Sequence, residues 1–484
     1  MAEARSAPGR VATNAIARAA GEAIAKVASL AFYVVMAREL GTHGYGSYVF
    51  ALALTGTLLI GSGFGTDELI ARQVARDHTR QGWYLANTAG LKLVTSVGLL
   101  GIALAAVFIG GYDADTRLAV LVVGLGVAAE VLAKSWHSVF QGRERLALIS
   151  ACLILQRTLT AVIGIAILLS GGGLVAAACV YLGASLVGLA AAEYCYRRWT
   201  PADRPTPTPA GGIEMLRGGF TIGLASLLFV LLLKMDVVLL SFLDSNAEVG
   251  LYSAAYRLIE GTQFLPWAFD AAMLPWLART TGAQLRRGYM LGIKLQSTLL
   301  LPFGLMAACF SDLVINTLYG DEYADAGTVL ALLGGTLALY GLQTFSSTLL
   351  IARDAPGLLV RAAGIVFVQN LVCNVIFIPL YGADGAAAVA LSSGLLMTVL
   401  TVSAAAKRVG GLNLARAFSG PVVAGAALVA VALLVPLPAI PAGVLALLAY
   451  AGVLIGFEYT VHREDFMTYL RALPLRRPHA GPVE

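Results

Sequence analysis

The sequence predicts an all-α integral membrane protein of about fourteen transmembrane helices, and three observations carry that reading. Hydrophobic residues make up 58% of the 484 positions and charged residues only 13%, outside the usual range of water-soluble domains. Apolar runs of about twenty residues, long enough to cross a bilayer as a helix, recur along nearly the whole chain. Basic residues gather on alternate connections between those runs. The mean hydropathy of +0.80 agrees.

The apolar runs fall at 11–38, 44–64, 84–110, 117–140, 148–170 and 174–196. A second set follows at 218–243, 249–276, 289–310, 326–351, 361–380 and 384–406, with two more at 417–436 and 440–461. Twelve to fourteen spans is the range these runs allow. The first run holds Arg18, Glu22 and Lys26 and no small-residue cleavage site follows it, so it reads as a retained span and not a signal peptide.

Between runs six and seven, Pro201, Pro205, Pro207 and Pro209 cannot continue a helix and read as an extended spacer. The expected organisation is an N-terminal lobe over 1–199, a Pro-rich linker over 200–216, a C-terminal lobe over 217–408, two further helices over 409–461 and a tail over 462–484. The longest outer connection is the stretch from Ser311 to Asp325, too short for a soluble domain.

With the N-terminus inside, 23 of the 33 Lys and Arg residues fall on inner segments and only Arg38 and Arg117 on outer ones. The outer segments carry Asp113, Asp115, Asp244, Glu248, Asp312, Asp321, Glu322, Asp325 and Asp384 instead. This bias places both termini in the cytoplasm.

The two sets of six repeat one another. Gly46-Ser47-Tyr48, opening the second run, matches Gly250-Leu251-Tyr252, opening the eighth, and the Gly-rich stretch Ser170–Gly173 matches Tyr381–Asp384. Six is even, so both halves enter the membrane from the same side and the repeat is parallel.

An ionised side chain in the bilayer costs about 2.5 to 3.5 kcal/mol even on insertion scales, so such residues face a cavity or one another. Asn14, Arg18, Glu22 and Lys26 recur every four residues on one face of the first helix. They either line a cavity or form a ladder that anchors the helix. Lys234 and Asp236 are two apart and project differently, with Arg257 and Glu260 on the next helix as partners. Lys234 is the stronger cavity candidate, and Asp236 and Glu260 are the acids suited to pairing or ion coupling. Lys92, Lys134 and Lys294 read as snorkelling bases, and Gln369, Asn370 and Asn374 as a helix-packing face.

Enzyme chemistry finds no support. The sequence has no P-loop and no HExxH, and its five histidines have no metal-ligand spacing. The nucleotide-like Gly124-Leu125-Gly126-Val127-Ala128-Ala129 and the Gly219/Gly223 pair lie inside spans and read as close helix packing. The five cysteines, scattered in apolar segments, read as small core residues. No cofactor, metal or nucleic-acid partner is expected.

Several segments in order carry a family resemblance. They are the first span with Asn14, Arg18 and Lys26, then Ala37-Arg38-Glu39-Leu40-Gly41 and Tyr45-Gly46-Ser47-Tyr48, and Gly63-Phe64-Gly65-Thr66-Asp67. Further on come Lys234-Met235-Asp236, Val249-Gly250-Leu251-Tyr252, Leu265-Pro266, Leu274-Pro275 and Tyr381-Gly382-Ala383-Asp384-Gly385-Ala386. Over most of the chain this pattern resembles the polysaccharide flippase family, the lipid-linked oligosaccharide exporters of the multidrug/oligosaccharidyl-lipid/polysaccharide transporter superfamily.

The resemblance implies two six-helix lobes around a V-shaped cationic cavity. There a polyprenyl-diphosphate-linked oligosaccharide would cross the cytoplasmic membrane by alternating access for surface polysaccharide biosynthesis. It also implies membrane lipids, a coupling proton or sodium ion, and polymerase or glycosyltransferase neighbours as partners. The excess of bases over acids within the spans suits an anionic headgroup. A lipid II-type flippase or a multidrug or cation exporter of the same superfamily are the rival readings. A membrane glycosyltransferase or polymerase would need carboxylates on a sizeable outer loop.

Overall fold

The computed structural model describes the chain from Ala7 to Met467 except residues 201–206, 412, 465 and 466, with side chains from Ala28 onward except those of residues 60, 221–222, 224–233 and 414. The described helices are α1 (Ala7–Ile60), α2 (Thr66–Arg76), α3 (Gln81–Ile109), α4 (Ala114–Gly142), α5 (Leu146–Leu169), α6 (Leu174–Trp199), α7 (Pro209–Leu243) and α8 (Asn246–Glu260). They continue with α9 (Phe264–Arg279), α10 (Gly282–Cys309), α11 (Ser311–Tyr319), α12 (Ala326–Ala352), α13 (Pro356–Val409), α14 (Leu414–Leu434) and α15 (Ala439–Val461).

Helices α1 and α13, at 54 residues each, are each two helices joined at a glycine with positive φ, Gly41 (φ 66°) and Gly382 (φ 53°). A straight helix of that length would run about 80 Å, far beyond the roughly 30 Å hydrocarbon core, so each must turn back. Ten described segments are long and apolar enough to cross a membrane on length and composition alone, with α13 counted once. Dividing α13 at Gly382 and adding the first half of α1, α7 and the interrupted α8–α9 pair gives the expected fourteen.

Large apolar side chains stand exposed along these helices, for example Val94 and Val97 on α3, Val360 and Val368 on α13, and Leu433 and Ile440 on α14 and α15. Such continuous apolar surface suits lipid as solvent. Helix association there rests on close packing, since lipid removes the hydrophobic drive between helices.

The repeat is visible at its turns. Gly171 (φ 88°) after α5 and Gly382 (φ 53°) within α13 occupy corresponding positions, and both take a backbone conformation that favours glycine.

The chain forms two compact units. The first comprises Met1–Arg257, Leu318–Tyr323 and Asn374–Ala386, and the second Leu258–Thr317, Ala324–Cys373 and Ala387–Glu484.

In the first unit, α4 packs on α6 and α3, α1 on α4 and α5, and α7 on α1, α2 and α3. A Cβ on Gly219 or Gly223 would enter the backbone of Phe64 and Gly65, so this pair lets α7 ride against the turn before α2. Gly126 lies under the Tyr181 ring, which makes the nucleotide-like match a packing surface.

In the second unit, α10 and α12 cross where Gly304 and Gly334 face one another's backbone carbonyls. Tyr289 stacks on Phe345 with centroids 5.6 Å apart and hydrogen-bonds Ser346 at 2.7 Å. The α14–α15 pair closes on Ala424, Leu428, Ala446 and Tyr450, and α14 packs on α10.

Three local expectations are corrected. The eighth run is two helices, because Pro266 has no N–H and its ring would clash with the Thr262 carbonyl, so α8 ends at Glu260 and α9 starts afresh. The last part of the stretch read as a spacer is helical: Pro209 opens α7, where its missing donor costs nothing, and the Thr208 side chain accepts the Gly211 N–H at 3.1 Å. The outer stretch 311–325 is also largely helical, as α11 and a 3-10 turn at Asp321–Tyr323, with Tyr319 and Tyr323 buried.

Candidate functional site

Four candidates from the sequence lie on α7 and α8, and the first unit gathers three of them. Helical periodicity sends Lys234 and Asp236 in different directions. The Lys234 Nζ sits 5.5 Å from the centroid of the Tyr256 ring, which stacks on Tyr252 at 6.0 Å. Asp236 accepts the Tyr252 hydroxyl at 3.2 Å and the Asn374 side-chain amide at 2.7 Å. Asn374 is fully buried. It comes from α13, whose segment Asn374–Ala386 around the turn at Gly382 belongs to this unit.

The Arg257 guanidinium carbon lies 3.9 Å over the Tyr33 ring of α1. Tyr33 packs edge-on to Tyr45, Tyr45 to Tyr323, and Tyr323 against Tyr319 at 5.4 Å. The Tyr323 hydroxyl donates to the Ala37 carbonyl and the Tyr319 hydroxyl to that of Ala254, each at 3.1 Å. A cation over a tyrosine face gains about 0.5 to 2 kcal/mol depending on desolvation. Stacking engages the face of a guanidinium, while its donors lie in its plane, suited to planar anions.

The same unit anchors two helix breaks with carboxylates. Beyond Gly41 the Thr42 N–H has no intrahelical acceptor, and Glu322 Oε1 accepts it at 2.7 Å, with the Thr42 hydroxyl at 3.2 Å. Beyond Gly382, Glu248 Oε2 accepts the Ala383 N–H at 2.7 Å. Each carboxylate stands at the positive end of the helix dipole it caps. Arg38 Nε adds a 2.7 Å bond to the Leu318 carbonyl.

On the same side of the unit Asp113 caps α4, accepting the Thr116 N–H at 3.0 Å and hydroxyl at 2.7 Å. Burial works to raise its pKa, but the Thr116 donors, helped by nearby His43, hold it below the ordinary carboxylate value.

Of the other candidates, the side chains of Asn14, Arg18, Glu22 and Lys26 lie outside the described residues. Glu260 ends α8, half-buried, and belongs to the second unit.

Two bases read as snorkelling are instead buried in ion pairs. Lys92 is 0% exposed, with Nζ 2.6 Å from Asp67 and 2.9 Å from the Val131 carbonyl, and Lys294 is 2% exposed, 2.5 Å from Glu458. Lys92 lies eleven residues into α3 and Lys294 twelve into α10, and the sequence does not show which acids from other helices arrive there. Gln369 and Asn370 bond Ser392 and Ser393 across the two halves of α13, as a packing face should.

The sequence reading missed the tyrosines and Glu130. Part of their signal was present: Tyr45/Tyr48 and Tyr252/Tyr256 are spaced three or four apart, one helical face each, while Tyr319 and Tyr323 lie on either side of the break at Gly320. Glu130 on α4 accepts Gln156 of α5, which also bonds Ser185 of α6 at 3.1 Å, and no local pattern announces that network.

Fold and site thus define a multi-pass helical membrane protein with lysine and arginine held over tyrosine rings. The sequence profile of the family described as "Polysaccharide biosynthesis protein" matches residues 11–281, more than half of the chain, and the protein belongs to that family. The resemblance read from its motifs is borne out at that level.

The Haloferax volcanii protein named "Probable low-salt glycan biosynthesis flippase Agl15" is 27% identical over 377 residues, covering 75% of this chain and 77% of the relative. A second from the same organism, "Probable flippase AglR", is 28% identical over 182 residues, 36% of this chain and 38% of its own.

Among solved structures, the lipid II flippase MurJ in an inward closed conformation superposes with a TM-score of 0.77 at 13% identity, over 93% of this chain and 100% of that one. An inward-facing multidrug resistance MATE family transporter of the MOP superfamily gives 0.63 at 16% identity, over 80% and 94%. At these identities the likeness concerns the fold.

Proposed function

We propose that this protein is a flippase that carries a polyprenyl-diphosphate-linked oligosaccharide from the inner to the outer leaflet of the cell membrane for surface glycan biosynthesis. The observation that carries the reading is the placement of Lys234 and Arg257 over Tyr256 and Tyr33 within a membrane-embedded unit. A diphosphate brings charge that must be matched before it leaves water, and a guanidinium can meet two of its oxygens at once. Tyrosine faces and hydroxyls suit sugar rings. The family membership and the relatives named as flippases support the same class of cargo.

In this reading the basic face is cytoplasmic, both termini lie there, and two six-helix lobes alternate access to a cationic cavity. Arg18 and Lys26 on α1 join Lys234 and Arg257 in binding, and Asp236 serves ion coupling.

The deciding experiment is flipping of a fluorescent lipid-linked diphosphate sugar in vesicles. The Lys234→Ala/Arg257→Ala variant should lose flipping while remaining folded, and normal flipping would reject the assignment of the site. Orientation is tested separately: cysteines at Ser245 and Asp321 should react with an impermeant reagent outside intact cells, and one at Thr79 should be protected.

A further inference from the structure

The second unit carries a basic cleft that the proposed transport cycle does not use. It opens where α10 and α14 begin and α15 ends, with a volume of about 350 Å³, and is lined by Arg286, Arg287, Lys294, Asn413, Arg416 and Glu464. A neighbouring hollow of about 650 Å³ shares Asn413, Arg416 and Glu464 and adds Ser419, His462 and Arg463.

Among the described lining residues the charges do not cancel. Lys294 is matched by Glu458 at 2.5 Å. Among the described lining residues, Arg286, Arg287 and Arg416 then face the carboxylate of Glu464, which stands 3.7 Å from Arg416 and is largely exposed. Such an exposed pair is weak and screened, so the cleft keeps an excess of guanidinium charge.

An apolar path leads away from it. Phe457 and Val461 line the hollow, and Leu447 and Ile440 are exposed along α15 at multiples of seven residues from Val461, which keeps them on its face. From Val461 to Leu447 the helix rises about 20 Å, comparable to the depth of one leaflet. A free phosphate ion would use only the basic end. A phospholipid would use both, with its headgroup in the arginine cleft and its chains along α15.

We propose that this cleft binds the phosphate headgroup of an anionic membrane phospholipid from the leaflet facing the basic ends of the helices. Arginines present planar forks that take phosphate oxygens two at a time, and basic pockets between helices at the cytoplasmic side favour anionic headgroups. Lys234 and Arg257, the proposed cargo residues, belong to the other unit, and the proposal assigns this cleft to a resident lipid.

The test is native mass spectrometry of the full-length protein released from nanodiscs containing phosphatidylglycerol and phosphatidylcholine, scoring retained lipid and not transport. The wild type should retain phosphatidylglycerol preferentially. Arg286→Gln/Arg416→Gln should lower that retention by about tenfold or more, at roughly fivefold per base removed, and leave phosphatidylcholine unchanged. Arg286→Lys/Arg416→Lys should keep most of it, which separates lost charge from failed folding.

Equal retention of the two lipids by the wild type, or equal retention of phosphatidylglycerol by the glutamine variant, would overturn the proposal. Full displacement by inorganic phosphate would reassign the cleft to a soluble anion, and displacement by a polyprenyl diphosphate would reassign it to the cargo. Because no transport is measured, failure here leaves the flippase reading untouched.

Discussion

Gly46 and Gly250 meet where the second half of α1 crosses α8, and each lies against the backbone four residues before the other. A Cβ on Gly46 would enter the Asn246 carbonyl, and one on Gly250 the Thr42 carbonyl. Residues 42 and 46 correspond to 246 and 250 at a single offset of 204. The crossing is therefore related to itself by the repeat, as an isologous interface relates two subunits. Replacing either glycine by alanine should destabilise the fold by about 1 to 3 kcal/mol, the usual cost of overpacking. Gly56→Ala, with open space around it, should be neutral or slightly stabilising. Thermal unfolding in detergent at a fixed scan rate compares them, and equal midpoints for Gly46→Ala and Gly56→Ala would refute the close crossing.

The buried Lys92–Asp67 pair gives an asymmetric prediction. Asp67→Asn leaves a wholly buried ammonium beside a neutral amide and should cost about 3 to 5 kcal/mol. Lys92→Met should cost less, since Asp67 keeps 28% of its side-chain surface exposed. The double variant Lys92→Met/Asp67→Leu should be more stable than Asp67→Asn. The same unfolding assay decides, and an Asp67→Asn protein as stable as wild type would show that Lys92 does not depend on this partner.

At the proposed cargo site the ring and the charge can be varied separately. Tyr33→Phe keeps the aromatic face under Arg257 and should preserve flipping. Tyr33→Leu should weaken cargo binding by about two- to thirtyfold, the range of a cation–π contact. Arg257→Lys should recover only part of the activity lost in Arg257→Ala, because an ammonium cannot bind bidentately. If Tyr33→Leu and Tyr33→Phe transport equally, the ring plays no part in holding the arginine.

Glu322 and Glu248 brace the segments after Gly41 and Gly382, on the side of the unit that the proposed alternating-access cycle would open to the outside. In a background without native cysteines, a cysteine at buried Ala37, whose carbonyl holds the Tyr323 hydroxyl, should react slowly with an external maleimide. Glu322→Ala should speed that reaction several-fold, whereas Glu322→Gln, which keeps an acceptor, should have a smaller effect. Identical rates in all three proteins would mean that the carboxylate does not restrain this side.

Asp113 provides a pH test. Its pKa in the folded protein lies below the ordinary carboxylate value. The cap's electrostatic stabilisation is therefore complete above the unfolded value of about 3.9 and is lost as pH falls through the folded one. Asp113→Ala should lower stability by about 0.5 to 2 kcal/mol at neutral pH, the usual worth of an N-cap. The gap between variant and wild type should narrow near pH 3. A constant gap over that range would show that charge contributes nothing to the cap.

What the sequence determined by itself was what depends on local composition and period. Apolar length set the number of crossings, the arginine bias gave an expected orientation, and the glycines at 46, 171, 250 and 382 marked where the two halves repeat. The crossings and the glycine turns survive because lipid acts on each helix separately, and because a left-handed turn selects glycine without help from distant residues.

The tertiary structure decided the partnerships. Lys92 and Lys294 became buried ion pairs instead of snorkelling bases because Asp67 and Glu458 arrive from other helices. Asp236 received Asn374 from 138 residues away because the end of the first half of α13 enters the first unit. The tyrosines at 33, 45, 319 and 323 became one cluster because α11 and the turn after it carry Tyr319 and Tyr323 into the first unit. A charge on a helix states that it needs a partner, whereas the identity of that partner depends on which backbones come within a few ångströms, and no periodicity in the chain encodes that distance.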